Sequence, residues 1–105
     1  MANDLRVLDY IDKEEILAQM GEEASEVAKA ALKFRRALSG KNPTPVSVSN
    51  AYENLIEEFG DVLNCIYAYF DDNNRDIEGF MYDAERTVES KRYRWIERLK
   101  ERDQI

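Results

Sequence analysis

Carboxylates recur at matching spacing in two parts of the sequence. The stretches GEEASEV and EEFGD each contain an acidic pair three residues apart, Glu23 with Glu26 and Glu58 with Asp61. Residues three apart lie on one side of an α-helix. Four carboxylates gathered where two helices pack would repel one another, by about 4 kcal/mol for each pair 4 Å apart at an effective dielectric of 20. A bound cation would remove this repulsion, so the pattern favours a metal site formed by these four residues.

The ligand type narrows the choice of cation. The chain has no histidine and a single cysteine, Cys65, so neither a multi-cysteine zinc site nor a disulfide within the chain is expected. Oxygen ligands suit the hard cation Mg²⁺, with Mn²⁺ as the alternative, and Mg²⁺ usually keeps waters and takes phosphate oxygens as further ligands. The pattern therefore predicts a site for the phosphates of a nucleotide.

The alternative is a solvated, salt-bridged helix face. Lys29 and Lys33 follow the first acidic pair at helical spacing, and exposed ion pairs of this kind are common. The acidic stripe would then be a non-catalytic interaction module that binds a basic partner in a salt-sensitive way. A ferritin-like di-iron site is disfavoured because it needs Glu-x-x-His pairs. The repetition of the acidic pair on a second helix favours the metal site.

The elements that must position these side chains are all predicted to be helices. Proline and glycine are rare, and no stretch shows the alternation typical of half-buried strands. Asp12 is placed to cap the first helix and Gly40 to end it. The segment GKNPTPVS then breaks the helix, and Ser47 or Ser49 can cap the next. The helices are predicted over residues 13–39, 49–70 and 76–100, and a short helix before Asp12 is compatible with the sequence.

An apolar stripe along each helix predicts how the helices pack. The stripes are Ile16, Met20, Ala24, Val27, Ala31, Phe34 and Leu38; then Tyr52, Leu55, Phe59, Val62, Ile66, Tyr69 and Phe70; then Ile77, Met81, Ala84, Val88, Trp95 and Leu99. Glu23 and Glu58 lie at the edges of the first two stripes. The predicted fold is an all-α antiparallel bundle of three long helices, one domain over residues 1–105. Helices this long in so short a chain favour a bundle completed by a homodimer or a higher homo-oligomer.

Composition limits the partners and the compartment. The 105 residues carry a formal net charge of -7, which argues against nucleic acid as a partner because phosphate binding needs a basic surface. The lone cysteine fits the reducing cytoplasm. No apolar run approaches the thickness of a bilayer, and the N-terminal stretch is charged throughout, so neither a membrane partner nor a signal peptide is expected.

The two acidic motifs, in this order, resemble the sequence signature of the MazG-like all-α nucleoside triphosphate pyrophosphohydrolases. That signature is Glu-Glu-x-x-Glu on one helix and Glu-x-x-Asp on the next. Here the motifs are EEASE, residues 22–26, and EFGD, residues 58–61, on either side of one interhelical connection, and the resemblance covers about residues 13–100 in helix order. It implies Mg²⁺-dependent cleavage of an NTP or dNTP between the α and β phosphates, giving the monophosphate and pyrophosphate, in the removal of unwanted nucleotides.

The resemblance also implies roles by position. Glu23, Glu26, Glu58 and Asp61 would be the metal ligands. Glu22 fills the first position of the motif, where it would orient water or support a ligand. Glu22 or Glu26 would act in catalysis by accepting the proton of the attacking water.

Basic residues are the expected contacts of the phosphates. Lys91 stands where the apolar stripe of the third helix would continue, and the family tends to carry basic residues on its last helix. Lys91 and Arg94 are therefore predicted to contact phosphate, although a lysine that snorkels along the bundle edge is the alternative reading of Lys91. Lys33 on the first helix is a further candidate. Asn64, one turn after Asp61, is placed to touch substrate or water.

Overall fold

The structure is a computed structural model that describes residues 6–104, apart from the side chain of Asn74. It contains a 3₁₀ turn at Val7–Asp9 and three α-helices: α1, Lys13–Ser39; α2, Val48–Tyr69; and α3, Asn74–Asp103. The predicted all-α chain of three long helices is confirmed, and no strand occurs within residues 6–104. Residues 1–5, which belong to the stretch where no signal peptide is expected, and Ile105 lie outside the described residues.

The ends of α1 are set by the residues predicted to set them. Asp12 Oδ1 accepts the backbone N–H of Glu15 at 2.9 Å, which satisfies a donor that has no partner within the helix. After Ser39 the chain turns at Gly40, whose φ of 65° lies in the left-handed region that glycine adopts without a steric penalty. The backbone N–H of Gly40 donates to Arg36 O at 3.0 Å, which closes the helix.

Caps also explain the small differences at the other two helices. Ser47, rather than Ser49, caps α2 by accepting a backbone N–H of the first turn at 3.1 Å, so α2 begins one residue earlier than predicted and ends at Tyr69. Asn73 accepts a backbone N–H of the first turn of α3 at 3.0 Å. α3 therefore starts two residues before its predicted start, and it continues to Asp103.

The chain divides into two compact units, one up to Asp72 and one from Asn73. The first unit holds the 3₁₀ turn, α1 and α2, and the second holds α3. Within the first unit, Val7 N–H donates to Asp71 Oδ2 at 2.9 Å, and Lys13 Nζ lies 3.5 Å from Asp72 Oδ2. These contacts fasten the N-terminal segment to the end of α2. The single domain over residues 1–105 stays a prediction.

α1 and α2 form an antiparallel hairpin with regularly spaced contacts. Ile16, near the start of α1, packs with Cys65 near the end of α2, and the rings of Phe34 and Tyr52 lie 5.6 Å apart at the other end. The buried and half-buried residues that form the contact recur at alternating steps of four and three, as in helices packed at a small angle. We call them the contact row: Ile16, Met20, Glu23, Val27, Ala30, Phe34 and Ala37 on α1, and Ala51, Leu55, Glu58, Val62, Cys65 and Tyr69 on α2.

The hairpin has one polar side and one apolar side. Because both helices are right-handed and antiparallel, residues one position before the contact row lie on one side, and residues one position after it lie on the other. The polar row, apart from the buried Ala68, is Glu15, Gln19, Glu22, Glu26, Lys29, Lys33 and Arg36 on α1, and Asn50, Asn54, Glu57, Asp61 and Asn64 on α2. The apolar row, apart from the cation Arg35, is Leu17, Gly21, Ala24, Ala28, Ala31 and Leu38 on α1, and Tyr52, Ile56, Phe59, Leu63 and Ile66 on α2.

The predicted apolar stripes are wrong in detail. Four of their members are exposed on the apolar row instead of facing the partner helix: Ala24, Ala31, Leu38 and Phe59. The contact row runs through Ala30 and Ala51, which are 2% and 0% exposed, because small side chains allow two helices to approach closely. This shift of register places Glu23 and Glu58 within the contact row rather than at its edge.

α3 is a single long helix in the second unit. Ile77 and Met81 of its predicted stripe are half-buried, and the other four members are exposed. Lys100 and Arg102 lie in its last turn, where positive charges interact favourably with the negative end of the helix dipole. Among residues 6–104, none of the helices combines the length and the apolar character that a bilayer-spanning segment requires.

Candidate metal centre

Three carboxylates of the hairpin converge. Glu23, Glu58 and Asp61 each offer one oxygen, and these three oxygens all lie within 4.8 Å of one another. Glu23 and Glu58 are half-buried members of the contact row, and Asp61 is an exposed member of the polar row. The cluster therefore lies where the contact between α1 and α2 opens onto the polar side of the hairpin.

The spacing of the contact row holds the two glutamates inward. Ile16 and Ala30 stand seven residues before and after Glu23, and both are buried. On α2, buried Ala51 and Cys65 stand seven residues before and after Glu58 in the same way. Buried residues on both sides fix the distance between the helices, and with it the distance between the backbones of the two glutamates.

The neighbouring carboxylates affect the titration of Glu58. Partial burial, followed in importance by the charges of Asp61, Glu26 and Glu23, raises the pKa of Glu58 above its ordinary value. Within residues 6–104, the ion pairs of the hairpin join Lys29 to Glu26 and Lys13 to Asp72, so no cation of this part of the chain pairs with Glu23, Glu58 or Asp61. The cluster is an unneutralised negative site.

Gln19 is a neighbour of the cluster that the sequence reasoning missed. Its Nε2 donates to Glu23 Oε1 at 2.8 Å, from one turn earlier on α1. The contact orients the carboxylate and leaves its remaining lone pairs available. Glutamine four residues before an acidic residue is a known helix-stabilising spacing, so the signal was present in the sequence.

Cys65 is the second neighbour that the sequence reasoning left out of the site. It is buried in the contact row one heptad after Glu58. Burial first, and then the charges of Glu23 and Asp61, raise the pKa of its thiol. The thiol is therefore kept protonated beside the acidic cluster, where it acts as a small apolar residue rather than a ligand.

The other predicted acidic residues lie on the polar row beside the cluster. Glu26 is outside the group of three, and Lys29 Nζ lies 3.5 Å from its Oε1. Its charge still contributes to the raised pKa of Glu58, so it stands close to the cluster. Glu22 is exposed, and its backbone carbonyl accepts a hydrogen bond from Ser25 Oγ at 2.6 Å. The Glu26 contact is the ion pair that the solvated-face alternative expects.

The predicted substrate contacts are placed as follows. Lys33 is half-buried on the polar row of α1, two helical turns beyond Glu26, and Asn64 is exposed on the polar row of α2. Lys91 and Arg94 are exposed on α3, in the second unit. All four stay predictions as contacts of a substrate.

The donor set fits a hard divalent cation. Two oxygens bound to one Mg²⁺ at 2.0–2.1 Å can be at most about 4.2 Å apart, so small side-chain rotations would bring the three oxygens, now within 4.8 Å, onto a common ion. The donors are all carboxylate oxygens, the type that Mg²⁺ and Mn²⁺ prefer.

Comparisons of the chain with protein-family models, curated proteins and solved structures found no match.

Proposed function

We propose that this chain is a MazG-like, Mg²⁺-dependent hydrolase that cleaves nucleoside triphosphates to the monophosphate and pyrophosphate. The observation that carries the proposal is the convergence of Glu23, Glu58 and Asp61 from two helices. Two of these carboxylates occupy contact-row positions, where partial burial of charge is costly unless it is compensated. A bound cation supplies that compensation. The order of the motifs along the chain supports the same proposal.

The acidic cluster would hold the cation. Glu23, Glu58 and Asp61 are its proposed ligands, and Glu26, whose charge is felt at Glu58, is the proposed fourth. A bound Mg²⁺ neutralises phosphate charge and lowers the pKa of an attacking water. Gln19 would keep Glu23 in its binding orientation through the 2.8 Å hydrogen bond.

A carboxylate of the polar row would act as the general base that accepts the proton of the attacking water. Water attacks the α phosphorus, the bond from this phosphorus to the bridging oxygen breaks, and pyrophosphate leaves. The water proton passes to Glu22 or Glu26, the two polar-row carboxylates of α1 next to Glu23. Both stand on the exposed side of the cluster, where a substrate can approach.

Cations beyond the cluster would bind the phosphates. Lys33 lies seven residues after Glu26 on the same row, about 10 Å along the helix axis at 1.5 Å per residue. An elongated polyphosphate that starts at the acidic cluster can extend along this row. Lys91 and Arg94 of α3 are proposed as further phosphate contacts and Asn64 as a contact of substrate or water. The proposal includes a homodimer as the working form.

A nucleotide panel tests the proposal. Purified protein with Mg²⁺ should convert at least one NTP or dNTP to its monophosphate and pyrophosphate, as resolved by ³¹P NMR. In ¹⁸O-labelled water, the label should enter the monophosphate, because the attack is at the α phosphorus. Label in pyrophosphate, or orthophosphate as the only product, would contradict the proposed reaction.

Matched variants tie the reaction to the cluster. Glu58→Gln should abolish turnover, whereas Glu53→Gln, the same change at an exposed position of α2 outside the cluster, should leave it intact. No turnover with any nucleotide, together with salt-sensitive binding to basic proteins, would favour the acidic interaction module instead.

A further inference from the structure

The end of the hairpin where the chain passes from α1 to α2 is basic, although the chain as a whole is acidic. Acidic residues occupy 22 of the 105 positions, yet none occurs among residues 27–52, a stretch that carries five lysines and arginines. This stretch covers the second half of α1, the connection and the first turn of α2. Positive charge is therefore concentrated at one end of the hairpin, and a local field of this sign attracts anions.

A concavity of about 460 Å³ lies at this basic end. Three cations line it together with polar and apolar groups, and we call it the basic pocket: Leu32, Arg35, Arg36, Ser39, Lys41 and Asn42. Its volume lies in the range of small-molecule sites. All six residues belong to one short stretch of the first unit, so the end of α1 and the start of the connection set the shape of the pocket.

The turn after α1 holds the rim of the basic pocket. Gly40 adopts a φ of 65°, which turns the chain away from the helix axis. The backbone N–H of Lys41 donates to Ser39 Oγ at 3.3 Å, and Ser39 Oγ donates to Arg36 O at 3.4 Å. Pro43 then restricts the backbone directly after the pocket. The lining residues are thus carried by a backbone with defined contacts.

The charged ends of Arg35, Arg36 and Lys41 have no carboxylate partner within residues 6–72, because the ion pairs of this part of the chain join other residues. The three side chains are also not needed to cap α1. The carbonyl of Arg36 already accepts the backbone N–H of Gly40 and the hydroxyl of Ser39. All three positive charges therefore remain available to a ligand.

The dipole of α1 accounts for only part of this positive charge. The C-terminal end of a helix carries about half a negative elementary charge, which one cation in the last turn compensates. Arg36 stands in the last turn of α1. Arg35 and Lys41 supply charge beyond what the helix end requires, and a ligand with two or more negative charges would balance it.

Oligophosphates match the basic pocket in charge and in chemistry. Guanidinium groups donate paired hydrogen bonds to phosphate oxygens, and a lysine adds a compact positive charge. The side-chain amide of Asn42 is a further donor on the lining. An anion with a single charge would leave two of the three cations without a partner, whereas pyrophosphate and longer oligophosphates can pair with all of them.

We propose that the basic pocket binds an oligophosphate, at a site separate from the acidic cluster. Ser39 follows Glu26 by 13 residues on α1, which is about 20 Å along the helix axis at 1.5 Å per residue. A substrate held at the acidic cluster through Mg²⁺ thus leaves the basic pocket free. The inference does not depend on the proposed hydrolysis, because the basic pocket needs no metal ion.

Isothermal titration calorimetry of the full chain in EDTA tests the basic pocket, with inorganic pyrophosphate as the probe. Without a divalent cation the acidic cluster repels the probe, so the heat of binding reports the basic pocket. The wild type should bind one pyrophosphate per chain, more weakly as the salt concentration rises. Arg35→Gln and Lys41→Gln should each weaken binding about tenfold, since each removes a charged hydrogen-bond donor. The double variant should bind no pyrophosphate, with helical circular dichroism retained.

The matched control is Arg102→Gln, which removes the same charge from an exposed position at the end of α3. It should bind pyrophosphate as tightly as the wild type. An equal loss in Arg102→Gln and Arg35→Gln would overturn the inference, because the net charge alone would then govern binding. A wild type that binds no pyrophosphate would overturn it as well, and so would full binding by the double variant.

Two further probes, tripolyphosphate and ATP, distinguish the sources of the oligophosphate. Equal affinities would support a site for free oligophosphates, and tighter binding of ATP would support a site for nucleotides. Hydrolysis is measured separately, with Mg²⁺ present. Turnover without binding in EDTA would overturn only the basic pocket, whereas binding in EDTA without turnover would overturn only the proposed hydrolysis.

Discussion

Glu23 of α1 and Glu58 of α2 occupy contact-row positions on two antiparallel helices, and their carboxylate oxygens lie within 4.8 Å of each other. Each is flanked along its helix, one heptad away, by buried residues of the same row. An apolar pair at these two positions would stabilise the hairpin at no electrostatic cost. We therefore expect the two carboxylates to lower the stability of the metal-free protein, and the proposed cation to offset their repulsion.

Replacing Glu58 should separate stability from metal binding. Glu58→Gln removes a charge that is repelled by Asp61, Glu26 and Glu23, so the metal-free variant should melt at the wild-type temperature or higher. With Mg²⁺ at 100 times its dissociation constant, the wild type should gain about 2.7 kcal/mol, and the variant should lose most of this gain. Thermal melts with EDTA and with Mg²⁺ measure both effects.

The control for this prediction is Glu53→Gln on the exposed surface of α2. It should keep the full Mg²⁺-induced rise in melting temperature. Equal rises in Glu58→Gln and the wild type would show that the acidic cluster is a solvated helix face and not a metal site.

The metal-free protein should lose stability as the pH rises through the titration of Glu58. The pKa of this carboxyl is raised in the folded state, so the folded protein holds the proton more tightly than the unfolded chain does. The stabilisation from this group is complete below the unfolded pKa, near 4.5, and is lost as the pH rises through the folded pKa. Urea midpoints in EDTA from pH 4 upwards should show the loss in the wild type, and it should be smaller in Glu58→Gln. A loss of the same size in both proteins would assign it to other groups.

Gln19 should affect metal affinity more than stability. Its hydrogen bond to Glu23 at 2.8 Å orients a proposed ligand, and the loss of such an outer contact typically weakens metal binding 10- to 100-fold. Gln19→Ala is thus expected to bind Mg²⁺ on the order of tenfold more weakly by calorimetry, with an almost unchanged metal-free melting temperature. Gln104→Ala, at the end of α3, is the matched control. If Gln19→Ala binds Mg²⁺ as tightly as the wild type, the hydrogen bond to Glu23 has no role in metal binding.

Much of the hairpin could be predicted from the sequence because the signals are local. Asp12 and Gly40 mark the ends of α1 through cap chemistry that needs only a few neighbouring residues. The acidic pairs could be matched because their spacing places them at equivalent points of two helices. The register of the contact could not be predicted, because Ala30 and Ala51 carry little hydrophobic signal although they are among the least exposed positions.

Two adjacent apolar rows on one helix also cannot be ranked from periodicity. Phe59 has a stronger apolar signal than Glu58, yet Phe59 is 54% exposed and Glu58 lies in the contact row. Which row of α2 faces α1 depends on how the side chains of the two helices fit together. The apolar pattern of one helix carries no information about this fit. The hydrogen bond from Gln19 to Glu23 could not be predicted either, because it depends on the side-chain rotamers of both residues.

Ile16 should contribute more to the stability of the hairpin than any other single side chain of its core cluster. It is 2% exposed and packs with Cys65 and Ala68. Ile16→Ala should lower the free energy of unfolding by about 2–5 kcal/mol, through lost burial and the cavity left behind. Leu32→Ala, at a position that is 54% exposed and outside the apolar row, should cost far less. Urea titrations measure both changes, and similar costs would show that Ile16 is not the centre of the core.

Cys65 should report the opening of α1 from α2. Its thiol is buried in the contact row, and its pKa is raised by burial and by the charges of Glu23 and Asp61. At pH 8 it should react with iodoacetamide far more slowly than the unfolded chain, because both access and the thiolate fraction are reduced. Ile16→Ala should accelerate labelling, with the logarithm of the rate rising in proportion to the stability lost, since the same opening exposes both residues. A Cys65→Ala/Ser25→Cys variant, with the thiol at an exposed position of α1, should label at the unfolded rate regardless of the Ile16 substitution. Fast labelling of Cys65 in the wild type would mean that α1 and α2 separate readily, and that the proposed ligands are not held together in the metal-free protein.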